Sequence, residues 1–140
     1  MALSIPRLVL AVLEGNAALA AAAPGGVLVG PPEHDEQQAG CVSLMEAGQP
    51  REEPDLPLMW LRLSARCLAP SLKQSSDIGT ALYGAVHGLI RQVVRQLSDG
   101  HSYLLHCMFV NGGPSSHRDS DVTWETLVFI EALAGTEAIE

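Results

Sequence analysis

Lysine is almost absent from this chain of 140 residues, which contains one, Lys73, beside seven arginines. The 16 acidic residues outnumber these cations and give a formal net charge of −8. A protein that binds nucleic acid or an anionic membrane presents a concentrated basic face to phosphate groups. The arginines are scattered along the sequence, so we expect neither nucleic acid nor membrane as a partner.

Cysteines are also few, and Cys41, Cys67 and Cys107 lie far apart. An odd number of widely spaced cysteines is no disulfide framework and fits a reducing compartment. No apolar stretch approaches the ~18 residues that a membrane span requires. The N-terminal apolar run, 8–13, is shorter than the roughly 7–15 residues of a secretory signal and is followed by Glu14. We expect a mature helix here; a cleaved signal, which would make the protein secreted or organellar, is the alternative.

Apolar residues make up 47% of the chain, which is enough to build a core. We expect residues 1–140 to form a single α/β domain, with a central mixed sheet of about five strands packed by two main helices. The first helix should span 5–22, since Ser4 can cap it and Pro6 suits the first turn. The second should span 78–97, where apolar residues recur at i, i+3, i+4 and i+7.

Five apolar runs predict the strands, at 27–29, 41–46, 58–63, 102–110 and 122–130. The last run also has helical spacing, but its β-branched and aromatic residues favour a strand. Two segments rich in acids, 31–40 and 47–57, and the segment 111–121 are expected to be exposed loops. The predicted core includes Leu8, Val12, Val27, Val29, Leu82, Leu89, Val93, Leu105 and Phe109.

Residues able to bind a metal or perform catalysis match no known motif. His101, His106 and Cys107, with Cys67, lack the paired spacing of zinc ligands. The run Ser115 to Asp119 contains Ser, His and Asp, but neighbours in one loop cannot form a catalytic triad; a binding loop or phosphorylation site is the alternative there. We expect no enzymatic activity, no catalytic residue, no cofactor and no metal. A hydrolase that uses Cys67 or Cys107 is the rival interpretation.

Glycines inside the second predicted helix suggest close approach of another backbone. Gly84 and Gly88 lie one turn apart beside Tyr83 and His87, on the less apolar side. Either the chain's own sheet or a second protein could pack there. Together with Trp124 in the last run, these four are the candidate partner-binding residues.

The sequence Gly-Val-Leu-Val-Gly at 26–30, after a helix, and Leu-Met-Trp at 58–60 resemble the opening and the next conserved strand of an MPN domain. Abraxas-like scaffolds of deubiquitinase assemblies are the most similar members, and Roadblock-type scaffolds and small proteasome-assembly chaperones share the same order of elements. Other residues hold the positions of the metalloprotease motif: Arg62, Ser64, Leu72 and Ser75. The resemblance therefore implies a pseudoenzyme without zinc.

These observations together predict a non-catalytic, protein-binding scaffold or assembly subunit of a larger intracellular complex. Exposed acidic loops suit recognition better than catalysis, and the apolar surface of the second helix and of 122–130 exceeds what one small sheet covers. We expect a cytoplasmic or nuclear protein that binds other protein subunits as a hetero-oligomer.

Overall fold

The computed structural model describes residues 3–96, 99–120 and 123–139. Within them the chain forms four helices and eight strands. The helices are α1 (Ile5–Glu14), α2 (Ala17–Ala22), α3 (His34–Ala39) and α4 (Leu72–Val86). The strands are β1 (Val27–Val29), β2 (Cys41–Glu46), β3 (Arg51–Glu52), β4 (Leu58–Ala69), β5 (Leu89–Arg95), β6 (Ser102–Val110), β7 (Ser115–Ser120) and β8 (Thr123–Gly135).

All eight strands belong to one sheet, whose main order is β1-β2-β4-β8-β6-β5. β1 runs parallel to β2, and every other pairing is antiparallel. The long strands β4 and β8 pair along their whole shared length, from Leu58 opposite Gly135 to Ala69 opposite Trp124. β3 extends the sheet beside β4, and β7 pairs with the first half of β8.

The core lies between this sheet and the helices α1, α2 and α4. Successive side chains of a strand point to opposite faces, so one residue in two contributes to the core. In β4 and β8 the contributing residues include Leu63, Ala65, Val128 and Ile130, all fully buried. Leu8 of α1 and Ile78 and Leu82 of α4 pack in the same cluster. Each buried Leu or Ile contributes roughly 1.5–3 kcal/mol to stability.

The predicted helix 78–97 is wrong in its second half. α4 ends at Val86, and β5 follows after His87 in an extended conformation and Gly88 at φ +82°. The apolar spacing at 89–95 fits either element, and hydrogen bonding to β6 decides for a strand. As a result Val93, predicted to lie in the core, is 65% exposed. Residue 97 lies outside the described residues.

The sheet has three strands more than predicted: β5 replaces the second half of a predicted helix, and β3 and β7 lie in predicted loops. Segment 31–40 contains α3, which begins with a capping box between Glu33 and Glu36. Segment 47–57 contains β3, and segment 111–121 contains β7. These polar segments have no apolar periodicity that would reveal them in the sequence. The capping box defines α3, and pairing to β4 and β8 defines β3 and β7. The predicted helix 5–22 is two helices, since Asn16 caps α2 by accepting from the Leu19 N–H at 2.9 Å.

The mixed α/β class and the other strands are confirmed. β1, β2 and β6 have the predicted bounds, and the run at 122–130 is a strand, with residues 121 and 122 outside the described residues. Leu8, Leu82 and Leu105 are fully buried, whereas Val12, Val27, Val29 and Leu89 pack against the core half-buried. Across the described ranges, no helix is both long and apolar enough to cross a membrane.

Candidate protein-binding surface

The sheet face opposite α1 and α4 is half-exposed, because burial alternates residue by residue along β4 and β8. We call this side of β3, β4, β8, β6 and β5 the open face. One row of apolar side chains crosses it from strand to strand: Trp60 is opposite Leu133, Leu133 opposite Cys107, and Cys107 opposite Ile90. Ile90 is 60% exposed and Val93, on the same face, 65%. A monomeric sheet usually places polar residues at such positions.

Aromatic rings and arginines occupy the centre of the open face. The rings of Trp60 and Phe109 meet edge-to-face, with their centroids 6.2 Å apart. The guanidinium of Arg62 lies over the ring of Phe129 at 4.1 Å, and that of Arg51 lies 6.0 Å from the Trp60 ring. Trp, Tyr and Arg are the residues that dominate binding energy in protein interfaces.

Four of the seven arginines lie on the open face, although the sequence spreads them widely: Arg51, Arg62, Arg66 and Arg95. Three of them, Arg51, Arg62 and Arg95, form no ion pair with a carboxylate of the described residues. Arg62 Nε is buried and has no hydrogen-bond partner within the same residues. Asp119, Glu125 and Glu131 share this face, so its four arginines only slightly outnumber these carboxylates.

An ion network joins the edge strand β7 to the middle of the sheet. The carboxylate of Glu125, which is 5% exposed, accepts a hydrogen bond from Arg66 Nε and lies 2.6 Å from His117 Nε2. Arg66 also pairs with Asp119 at 3.1 Å. Burial alone would lower the pKa of Arg66, but the hydrogen bonds and charges of Glu125 and Asp119 outweigh it and raise that pKa. The network therefore stabilises an ionised arginine and fixes β7.

The Ser115–Asp119 segment is thus a strand and not a loop. His117 turns to Glu125, whereas Ser116 binds the Thr126 hydroxyl at 2.8 Å on the other face of β8. Because consecutive residues of a strand point in opposite directions, this serine cannot use this histidine as a base.

The predicted partner-binding residues fall in two places. Tyr83, Gly84, His87 and Gly88 are all exposed and cluster at the end of α4. The Tyr83 and His87 rings stack with centroids 4.8 Å apart, and His87 Nδ1 accepts from the Val110 N–H at 3.2 Å. Trp124 lies at the start of β8, half-buried, with the Arg118 guanidinium 5.7 Å from its ring. Their role in binding stays a prediction.

The candidate metal ligands do not converge. No group of three or more His, Cys, Asp or Glu side chains suited to a metal occurs in the described parts of the chain. Cys67 is fully buried on the core side, whereas Cys107 is half-buried on the open face. Burial raises the pKa of both thiols, and burial with the nearby Glu36 charge raises that of Cys41 to about 11. A thiol in this state is protonated at neutral pH, unlike a catalytic cysteine.

The open face was missed at the sequence level, although a signal for it exists. Large apolar residues occur at both parities of 58–63, and we interpreted this as a central strand buried on both sides. β4 is central, but only one of its faces is covered along most of its length. The arginines at 62 and 66, on the apolar second face, are the signal that this face meets solvent or a partner.

No known protein family and no curated protein matches the sequence. Among solved structures, a chain in "Virion of native gene transfer agent (GTA) particle" has the same fold, with a TM-score of 0.71. The match covers 94% of this chain and 95% of that chain, at 16% sequence identity. The two chains therefore share one fold along nearly their whole lengths.

This match corrects three expectations. The resemblance to an MPN or Abraxas-like domain is wrong, since the short motifs at 26–30 and 58–60 are embedded in a different sheet. The pseudoenzyme interpretation depended on that resemblance and is withdrawn with it. The expected intracellular scaffold with a cytoplasmic or nuclear location is likewise wrong, because the structural likeness is to a particle component.

Proposed function

We propose that this protein is a structural subunit of a virion-type particle. The observation that carries the proposal is the likeness of fold along nearly the whole length of both chains. Fold alone does not determine function, so surface features must support the same conclusion.

The open face supplies this support. It presents the apolar row that contains Trp60 and Ile90 beside arginines that have no carboxylate partner in the described chain. Exposed apolar surface of this kind is typical of protein-binding sites. We infer that the partners are other protein subunits, including subunits of different sequence. The net charge of −8 argues against nucleic acid and anionic membranes as partners.

A structural role also agrees with the chemistry of the site. The thiols have raised pKa values, His117 is engaged by a buried carboxylate, and Ser116 lies on the opposite face of β7. We therefore propose a protein without enzymatic activity or cofactor.

The test uses the organism that encodes the chain. Particles purified on a density gradient should contain the protein at a fixed ratio to the major particle protein, measured by quantitative mass spectrometry. A deletion strain should release defective or fewer particles, and the wild-type gene should restore them. The proposal fails if the protein sediments only with soluble proteins, or if particles from the deletion strain are unchanged in yield and appearance by electron microscopy.

A further inference from the structure

Charge is distributed unevenly over this protein. Four arginines lie on the open face, whereas the chain as a whole carries a net charge of −8. Arginines on an apolar surface attract carboxylates within a Debye length, ~10 Å at 0.1 M salt, and orient them before contact. The open face therefore fits a partner segment that carries both carboxylates and an apolar side chain.

Arg62 is the best-placed recognition group on this face. Its guanidinium is held against the Phe129 ring at 4.1 Å, and its Nη2 lies close to the backbone of Gly112, 3.4 Å from the position that a Cβ would take there. Glu131 is opposite Arg62 in the strand register, but its carboxylate accepts from Asn111 Nδ2 at 2.8 Å. The arginine is thus positioned by packing and is free of an ion pair among the described residues.

The same chain contains a segment with the complementary chemistry. The end of β3 and the turn that follows it, which we call the hairpin tip, span 52–56 and read Glu-Glu-Pro-Asp-Leu. Asp55 is exposed and Leu56 is 58% exposed, so both side chains are accessible to a partner. The Glu53 N–H donates to the Leu58 carbonyl at 3.0 Å and closes the turn, while Pro54 restricts its backbone. A rigid tip loses little conformational entropy on binding.

We propose that the open face binds the hairpin tip of a second copy of this chain, with carboxylates of the tip against Arg62 and Leu56 on the apolar row. The two surfaces differ, so each copy can offer its tip to one neighbour and its face to another, which is a head-to-tail contact. Single-stranded nucleic acid would also stack on aromatic rings and pair with arginines. It is the less suitable occupant, because the row of Leu133, Cys107 and Ile90 gives Leu56 an apolar contact but gives phosphate no strong hydrogen-bond donor.

The test measures self-association of the full purified chain by sedimentation velocity, from 1 to 200 μM and at two salt concentrations. We expect concentration-dependent assembly that weakens at high salt, since exposed charges contribute to the contact. Arg62→Glu and Asp55→Arg should each raise the dissociation constant by about tenfold or more. As controls, Arg7→Glu and Glu14→Arg make the same charge changes at exposed positions of α1. They should leave the dissociation constant unchanged.

Mixing the two interface variants gives the decisive result. Arg62→Glu keeps a normal tip and Asp55→Arg keeps a normal face, and the two altered surfaces also carry opposite charges, so the mixture should form hetero-assemblies of one-to-one stoichiometry that neither variant forms alone. Circular dichroism and melting temperature verify that both variants fold. A wild-type chain that is monomeric at 200 μM overturns the inference, as does assembly that survives Arg62→Glu or a mixture that stays monomeric. Binding of labelled single-stranded DNA at micromolar concentration that Arg62→Glu abolishes would assign the face to nucleic acid instead.

This inference does not depend on the particle proposal. A protein that assembles head-to-tail but is absent from purified particles would refute the proposed function alone. A particle component that is monomeric in pure form would refute the self-association alone, and cross-linking of the open face in particles would then identify a different subunit as its occupant.

Discussion

The hydroxyl oxygens of Ser75 and Thr126 lie 2.8 Å apart where α4 crosses β8, and both side chains are buried. Ser75 Oγ donates to the Cys67 carbonyl at 2.8 Å, and since a hydroxyl has one proton, Thr126 must donate to Ser75. Ser116 Oγ lies 2.8 Å from Thr126 Oγ1 and by the same count donates to it. One directed chain of hydrogen bonds therefore links β7, β8, α4 and the backbone of β4.

Removal of the Ser75 hydroxyl should destabilise the fold. Ser75→Ala leaves buried polar atoms without their partner, so we expect the free energy of unfolding to fall by about 1–3 kcal/mol in urea denaturation. Ser76→Ala removes a hydroxyl from the exposed side of the same helix and should change it by less than about 0.5 kcal/mol. Equal effects of the two substitutions would show that the buried chain contributes nothing.

Two glycines of α4 should respond to alanine with opposite signs. A Cβ at Gly79 would lie 2.7 Å from Thr126 Cγ2, so Gly79→Ala forces the helix away from β8 and should cost about 1–3 kcal/mol. A Cβ at Gly84 meets no atom within 4 Å, and Gly84→Ala should stabilise the exposed helix by about 0.5–1 kcal/mol. Thermal unfolding of both variants checks this. A destabilised Gly84→Ala variant would contradict the open space seen there.

The pH dependence of stability should contain a contribution from Asp99 and Tyr103. The Tyr103 hydroxyl donates to Asp99 Oδ2 at 2.6 Å and the His101 N–H donates to Oδ1 at 3.0 Å, which together lower the pKa of Asp99. The same bond to Asp99 raises the pKa of Tyr103. Because the pKa of Asp99 is lower in the folded state, this group stabilises the fold above the unfolded pKa of about 3.9. That stabilisation is lost as the pH falls through the folded pKa. Because the pKa of Tyr103 is higher in the folded state, this group stabilises the fold below about pH 10. That stabilisation is lost as the pH rises through the folded pKa.

Tyr103→Phe should therefore reduce stability most between about pH 5 and 9, and the difference from wild type should shrink towards either extreme. Urea denaturation from pH 2.5 to 11 measures that difference. A constant difference across this range would mean that the hydrogen bond does not distinguish the protonation states.

Thiol reactivity should follow burial. At pH 8 we expect Ellman's reagent to label Cys107, which is half-buried, while Cys41 and Cys67, fully buried and with raised pKa values, react only as the chain unfolds. Cys107→Ser should abolish the early phase, and guanidinium should expose all remaining thiols. Rapid labelling of Cys41 or Cys67 in the folded protein would contradict this prediction and would supply the nucleophile that a cysteine-dependent hydrolase needs.

Short-range signals explain which elements were predictable. β2 and β6 are largely apolar runs bounded by turn residues, and their bounds follow from the sequence. α3 and β7 are polar and have no periodic signal, so they escaped prediction. The segment 89–95 has spacing that suits a helix or a strand equally, and the turn at Gly88 with pairing to β6 selects the strand.

For the candidate site, too, the sequence predicted some features and only the tertiary structure decided the others. Composition and spacing by themselves determined an acidic chain with an apolar core, five of its strands, and the absence of a recognisable catalytic motif. Only the tertiary structure placed Arg51, Arg62, Arg66 and Arg95 on one side, since that outcome depends on which strands are neighbours and in which register. A shift of one residue in the pairing of β4 would turn Trp60 and Arg62 into the core, and no local pattern encodes that register. The open face is therefore a product of strand pairing between distant segments, whereas the strands themselves are products of local residue preference.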